Sequence, residues 1–244
     1  MNDPRNTGEL KVYDGPADVA AALADLFIDR ARRAIDMRDG FSVSLAGGST
    51  PKAAYARLAQ ASGEIDWSKV QIFFGDERCV PPDNEQSNYR MAREAFLSAV
   101  GIPASNIYRM RGEDDPTQAA LRYHDVLTGA LGKLPRLDLV MLGMGPDGHT
   151  ASLFPGSDPL ADNEALVRAV YSQSQAQWRI TLTPAVLNAG RTIVFAVEGA
   201  AKTATLKDVR DGPYDPIRYP SQIISPQHGE LLWLTDRAAA GVMS

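Results

Sequence analysis

Five short apolar runs recur along the chain: Phe41–Ala46, Val70–Phe74, Leu139–Leu142, Thr192–Val197 and Leu231–Leu234. Each has the length of a strand, and those that lack alternation read as strands buried on both faces. Between them lie stretches with helical spacing. Gly15-Pro16 opens one that Gly40 ends, and Asp115-Pro116 opens another that Gly132 ends. Ser87 caps a helix to about Ser98, and Pro184 opens a short one closed by Gly190. Proline at a first helical position and glycine past the last turn are the expected punctuation. Further strands are expected at Leu10–Tyr13, Asn106–Met110, Val167–Tyr171 and Trp178–Thr183, and a short terminal helix from Thr235-Asp236. Residues 157–177 and 211–230 read as largely irregular, and residues 1–9 as a flexible tail. Alternating strands and helices over residues 1–244 predict a single α/β domain with a mainly parallel sheet.

Composition removes several function classes. With net charge -5 and pI near 5.3, no basic face invites nucleic acid. No apolar run reaches membrane-spanning length, and MNDPRNTGEL lacks the apolar core of a signal peptide, so a cytoplasmic protein without a membrane partner is expected. Cys79 is the only cysteine, which rules out an internal disulfide and a four-cysteine zinc site. It reads as a small buried residue. Three scattered histidines give no metal-ligand spacing, so no metal is expected. A monomer or weak homodimer is expected.

The chemistry gathers at strand ends. Leu139–Leu142 breaks into Gly143-Met-Gly145-Pro-Asp147-Gly148-His149, and carboxyl ends of strands are where open α/β sheets bind ligands. His149 is the candidate acid/base, with Asp147 placed to orient the imidazole or stabilise its protonated form. After Phe41–Ala46 comes Gly47-Gly48-Ser49-Thr50-Pro51, with Thr50 as expected N-cap. Such a turn either binds phosphate on free N–H groups or is simply a capped β–α turn; it lacks the spacing of a Walker loop. After Val70–Phe74 come Asp76, Glu77 and Arg78, three charges that read as a ligand-facing cluster, Arg78 suiting phosphate or carboxylate. Asn88 either reaches a ligand or completes a cap. Lys202 falls in a first helical turn, where a cation opposes the helix dipole unless an anion sits there too. Arg179, beside Trp178 at a strand start, is a weaker indication. Together these point to a phosphorylated small metabolite. No G-x-S-x-G elbow supports a serine hydrolase.

The blocks SLAGGSTP (44–51), FFGDERCVPPDNEQSNY (73–89), LDLVMLGMGPDGHTASLFPGS (137–157), RITLTPAVLNAG (179–190) and VEGAAKTATL (197–206) resemble the 6-phosphogluconolactonases. The resemblance implies a three-layer αβα fold with a Rossmann-like sheet, related to the glucosamine-6-phosphate deaminases, and no cofactor. It implies hydrolysis of 6-phosphoglucono-δ-lactone, a step of the pentose phosphate pathway. It assigns His149 as general base and Arg78 and Lys202 to the substrate phosphate, with Gly47, Gly48, Ser49 and Thr50 lining the pocket. Asp76 and Asp147 become orienting residues. Arg179 joins the phosphate contacts by likeness to the deaminases. Two rivals remain: a deaminase, and a non-catalytic sugar-phosphate sensor. A deaminase turn continues to a glutamate five residues after the histidine, and here that position is Phe154. Retention of Asp147, His149 and Arg78 weighs against a sensor.

Overall fold

The structure is a computed structural model that describes residues 6–161 and 165–242. Its centre is a six-stranded sheet of β1 (Glu9–Tyr13), β2 (Phe41–Leu45), β3 (Val70–Phe74), β5 (Leu139–Leu142), β8 (Thr192–Val197) and β9 (Glu230–Asp236). Spatial order is β1-β9-β8-β5-β2-β3, and every pairing is parallel. The remaining strands, β4 (Asp76–Arg78), β6 (Val167–Ser172) and β7 (Gln177–Leu182), form a separate antiparallel sheet in the order β4-β7-β6.

Side-chain alternation divides two cores between the faces of the main sheet. Leu139, Met141, Val194 and Leu232 face one core with α1 (Pro16–Arg38), α2 (Ser49–Gln60) and Ala92 of α3 (Asn88–Ala92). Val140, Leu142, Ile193, Phe195 and Trp233 face the other. That second core takes side chains from α4 (Pro116–Leu131), α5 (Pro184–Asn188), α6 (Thr203–Asp211) and the antiparallel sheet. The outcome is the expected three-layer α/β arrangement. Because both faces are covered, even Ser42 and Ser44 of β2 are buried, so the alternation in FSVSL does not mark a solvated face.

Several local expectations are corrected. Of the tail 1–9, residues 1–5 lie outside the described residues. Asn6 is held by Ser225 and Pro226, and Glu9 already belongs to β1. Thr50 is not the cap of α2. Gly48, at φ +108°, caps it and starts the helix two residues earlier, and Thr50 is buried in its first turn. Pro51 is then the third helical residue, where the missing N–H still breaks no helical bond. Asp76–Arg78 is a strand, because it pairs residue for residue with Thr181–Arg179. The helix from Ser87 keeps its cap, with the Ser87 hydroxyl accepting from Arg90 N, but Arg93–Leu97 widens into a π turn. Asn106–Met110 is not a strand. Ala104–Asn106 is a 3-10 turn, the Asn106 amide ties it to Ser68 and Val70, and only Ile107 bridges to Ile72. Residues 162–164 of the irregular stretch lie outside the described residues. Thr235-Asp236 starts no helix. Both stay in β9, and Asp236 accepts from Gly199 N and Ala239 N, tying the strand end to the turn before α6.

Two buried tyrosines finish the strand ends that matter for the site. The Tyr55 hydroxyl accepts from Ala46 N and donates to Ala46 O, at 3.1 and 2.9 Å. The Tyr123 hydroxyl accepts from Phe74 N and donates to Tyr108 O, at 2.9 and 3.0 Å. Burial raises the pKa of both phenols, so each remains a neutral donor–acceptor. They hold backbone immediately before Gly47 and Gly75, the first glycines of two site-forming turns.

Candidate active site

Carboxyl ends of β2, β3 and β5, the start of β4 and Arg179 of β7 surround one cavity of about 280 Å³. Its lining includes Gly47, Gly48, Asp76, Arg78, Asn88, His149, Arg179 and Lys202. Eight of the residues singled out from sequence therefore share one space. Three do not line it. The Ser49 hydroxyl donates to Glu198 at 3.0 Å, Thr50 is packed beneath the turn, and Asp147 stands behind His149.

The turn after β5 is braced from every side. Gly145 N donates to His149 O at 2.8 Å, and Gly148 N to Gly145 O at 3.1 Å. Thr150 Oγ1 holds Gly143 O, Thr205 Oγ1 holds Pro146 O, and Ser221 N donates to Gly148 O. The glycines are required there. A Cβ on Gly145 would lie 2.1 Å from His149 Nδ1, and Gly148 has φ +81° with Tyr219 packed over it. Asp147 Oδ1 sits 2.5 Å from His149 Nδ1 and also accepts from His149 N. Burial pushes the Asp147 carboxyl up, but the imidazole hydrogen bond and the His149 charge override it and hold the group below its ordinary value. An ionised carboxylate only accepts, so Nδ1 carries the proton and Nε2 is left as the basic nitrogen. The His149 ring packs 5.0 Å from that of Phe154, which occupies the position five residues on.

Across the cavity, strand alternation sorts the DER triplet. Asp76 and Arg78 line the cavity; Glu77 points away and is 2% exposed. Its carboxylate accepts from Arg78 N, Asn88 N, Tyr89 N and the Ser87 hydroxyl. Burial raises the Glu77 pKa against those hydrogen bonds. Glu77 is thus a structural clasp for the loop that delivers Asn88, and not part of the ligand-facing cluster the sequence suggested. The cap itself is Ser87; the Asn88 backbone N–H completes the Glu77 clasp, and the Asn88 side chain lines the cavity. The Asn88 amide donates to Asp76 O and accepts from Arg78 Nη1, which also donates to Gln86 O at 2.9 Å. Gly47 allows this, since a Cβ there would lie 2.2 Å from Asn88 Oδ1. Asp76 Oδ2 accepts from Ser152 Oγ at 2.7 Å.

Arg179 faces Arg78 across the β4–β7 ladder. It is 4% exposed, and its buried Nε and Nη1 have no hydrogen-bond partner among the described residues. Burial, then the nearby Arg78 charge, lower its pKa. Lys202 is likewise lowered by burial, with the Asp147 charge opposing. Among the described residues no carboxylate lies within ion-pair distance of either Arg179 or Lys202. Two opposed arginines and a half-buried lysine with unused donors form an electropositive wall in a chain of net charge -5. Cys79 is half-buried beside this sheet, its thiol pushed up to about 11 by burial, which agrees with an inert residue. Among the described residues, no group of three or more metal-ligating side chains occurs, and no helix is long and apolar enough to cross a membrane.

Sequence reasoning missed Gln175 and Ser152, which also line the cavity. Ser152 lay inside a recognised block without an evident task. Gln175 sits in the polar run SQSQAQ between β6 and β7, which carries no signal of a site.

Comparison with known proteins shows the family and the fold. The family model for glucosamine-6-phosphate isomerases/6-phosphogluconolactonase matches residues 14–233. A 6-phosphogluconolactonase of Nostoc sp. is 41% identical over 236 residues, covering 95% of this chain and 96% of the relative. The solved 6-phosphogluconolactonase from Trypanosoma cruzi superposes with a TM-score of 0.89 at 25% identity, covering 100% of both chains. A monomeric glucosamine-6-phosphate deaminase shares the fold alone, at a TM-score of 0.81 and 18% identity over 96% of this chain and 100% of that one. The chain belongs to the glucosamine-6-phosphate isomerase/6-phosphogluconolactonase family.

Proposed function

We propose that this protein hydrolyses 6-phospho-D-glucono-1,5-lactone to 6-phosphogluconate, the lactonase step of the oxidative pentose phosphate pathway. The observation that carries the reading is one cavity bearing both a carboxylate-oriented His149 and the unpaired donors of Arg179 beside Arg78. Arg78, Arg179 and Lys202 hold the phosphate, helped by the Gly47–Gly48 turn at the start of α2. His149 Nε2 takes a proton from water as the oxygen attacks the lactone carbonyl. The imidazolium returns that proton to the ring oxygen as the carbonyl–oxygen bond breaks. Asp147 keeps the imidazole in the required tautomer and stabilises its charged form. Asp76, held by Ser152 and Asn88, orients the sugar end. No step calls for a metal or an organic cofactor, and the reading expects a metabolite as the only partner, in a cytoplasmic enzyme of one domain.

Deamination of glucosamine 6-phosphate is disfavoured by Phe154, whose ring stands beside His149 where the deaminase pattern has a glutamate. The test is hydrolysis of freshly made 6-phosphogluconolactone, measured above its spontaneous opening, with glucosamine 6-phosphate as control. Fast hydrolysis with no ammonia release is expected. Ammonia release without hydrolysis would overturn the assignment.

A further inference from the structure

Gln175 occupies the turn between β6 and β7, exposed on its outer side and lining the cavity on the other. Its Oε1 accepts from Nη2 of the buried Arg179. Arginine can only donate, so hydrogen bonding assigns the amide oxygen to the side of Arg179 and the nitrogen to the other. Nε2 makes no hydrogen bond with any described residue. Two residues on, Gln177 Nε2 donates to Gln86 Oε1 at 2.9 Å, and Gln86 O accepts from Arg78. The turn is therefore tied to the same loop that holds the second arginine.

We propose that Gln175 is a substrate-binding residue: with its oxygen anchored on Arg179, it presents its amide N–H groups to the anionic group held by Arg78 and Arg179. The inference rests on the phosphate reading given above. A glutamine suits the position in a way that neither a carboxylate nor an apolar residue would. It accepts from one arginine without cancelling its charge, and it adds donors beside those of Arg78 and Arg179.

The alternative is that Gln175 merely blocks Arg179 until an anion displaces it, and two variants separate these roles. Gln175→Met removes both the acceptor and the donors at similar length. Gln175→Glu keeps an acceptor for Arg179 but replaces the donors with negative charge. If Gln175 donates to the anion, both variants bind inorganic phosphate more weakly by calorimetry, Gln175→Glu by about tenfold or more and Gln175→Met by less, one charge-assisted hydrogen bond being at stake. With the phosphorylated lactone, KM rises while kcat changes little, and preference over the unphosphorylated lactone falls. Tighter or unchanged phosphate binding by Gln175→Met overturns the proposal, whatever Gln175→Glu does. If the wild type binds phosphate but hydrolyses no phosphorylated lactone, the lactonase reading fails, and the phosphate titrations still decide the role of Gln175.

Discussion

The two sides of the cavity are built on opposite terms. On the side of the turn after β5, the groups that fix the turn are matched: Asp147 with His149, Gly145 with His149 O, Thr150 with Gly143 O, Thr205 with Pro146 O. On the side of the antiparallel sheet, Arg179 is buried opposite a like charge with two nitrogens unmatched. A paired group is already in its working arrangement, and its value lies in being held still. An unpaired buried cation is costly until something anionic arrives. The first side is suited to moving a proton and the second to recognising an anion, and the difference says which group should control turnover and which should control binding.

The contrast can be broken in several ways. His149→Ala should produce the largest effect, lowering kcat by roughly 10²–10⁴, the usual range for a lost general base, while phosphate affinity measured by calorimetry stays close to wild type. Removing Asp147's charge tests the orienting pair. Asp147→Asn should reduce kcat by about tenfold or more, one charge-assisted hydrogen bond, and move the acid limb of the rate profile to lower pH. The sign follows from Asp147 being held ionised below its ordinary range, so that its negative charge favours the protonated imidazole. An unmoved acid limb would remove Asp147 from that role.

On the other side, Arg78→Ala should weaken phosphate and substrate binding by about 1.5–3 kcal/mol with little change in kcat. Arg179→Met should weaken binding similarly, yet make the free protein more resistant to urea by about 1 kcal/mol, because it deletes a buried charge that lacks a partner. A loss of stability in that variant would mean Arg179 has a structural task beyond anion binding. Tyr55→Phe sharpens the comparison from outside the cavity. It leaves Ala46 N–H and C=O buried without partners, and should cost about 1–3 kcal/mol in a denaturation experiment.

Much of this was legible before the structure. Strands buried on both faces leave continuous apolar runs, so β3, β5, β8 and β9 announced themselves. A histidine just past one such run and an arginine just past another are residue types that rarely belong to a core, which made His149 and Arg78 visible. What stayed hidden depends on long-range pairing. No local pattern reveals that Arg179 lies opposite Arg78, because that follows from β4 leaving the main sheet to pair with β7. The same pairing turned Glu77 away from the cavity, so a triplet that looked like one charged cluster splits into two cavity residues and a buried clasp. Thr50 looked like a cap because a threonine before proline usually is one. The positive φ of Gly48 moved the helix start and made it a buried residue instead. Gln175 had no signal at all, since polar turn residues are ordinarily solvated.

The central claim is that turnover and anion binding reside on different walls of one cavity. Steady-state hydrolysis of the phosphorylated lactone by His149→Ala and Arg179→Met, measured side by side with phosphate titrations of both, tests it most directly. Expected are a collapse of kcat with intact phosphate binding for the first, and raised KM with weakened phosphate binding and near-normal kcat for the second. If both variants lose the same parameter to the same degree, the two walls are not separate in function.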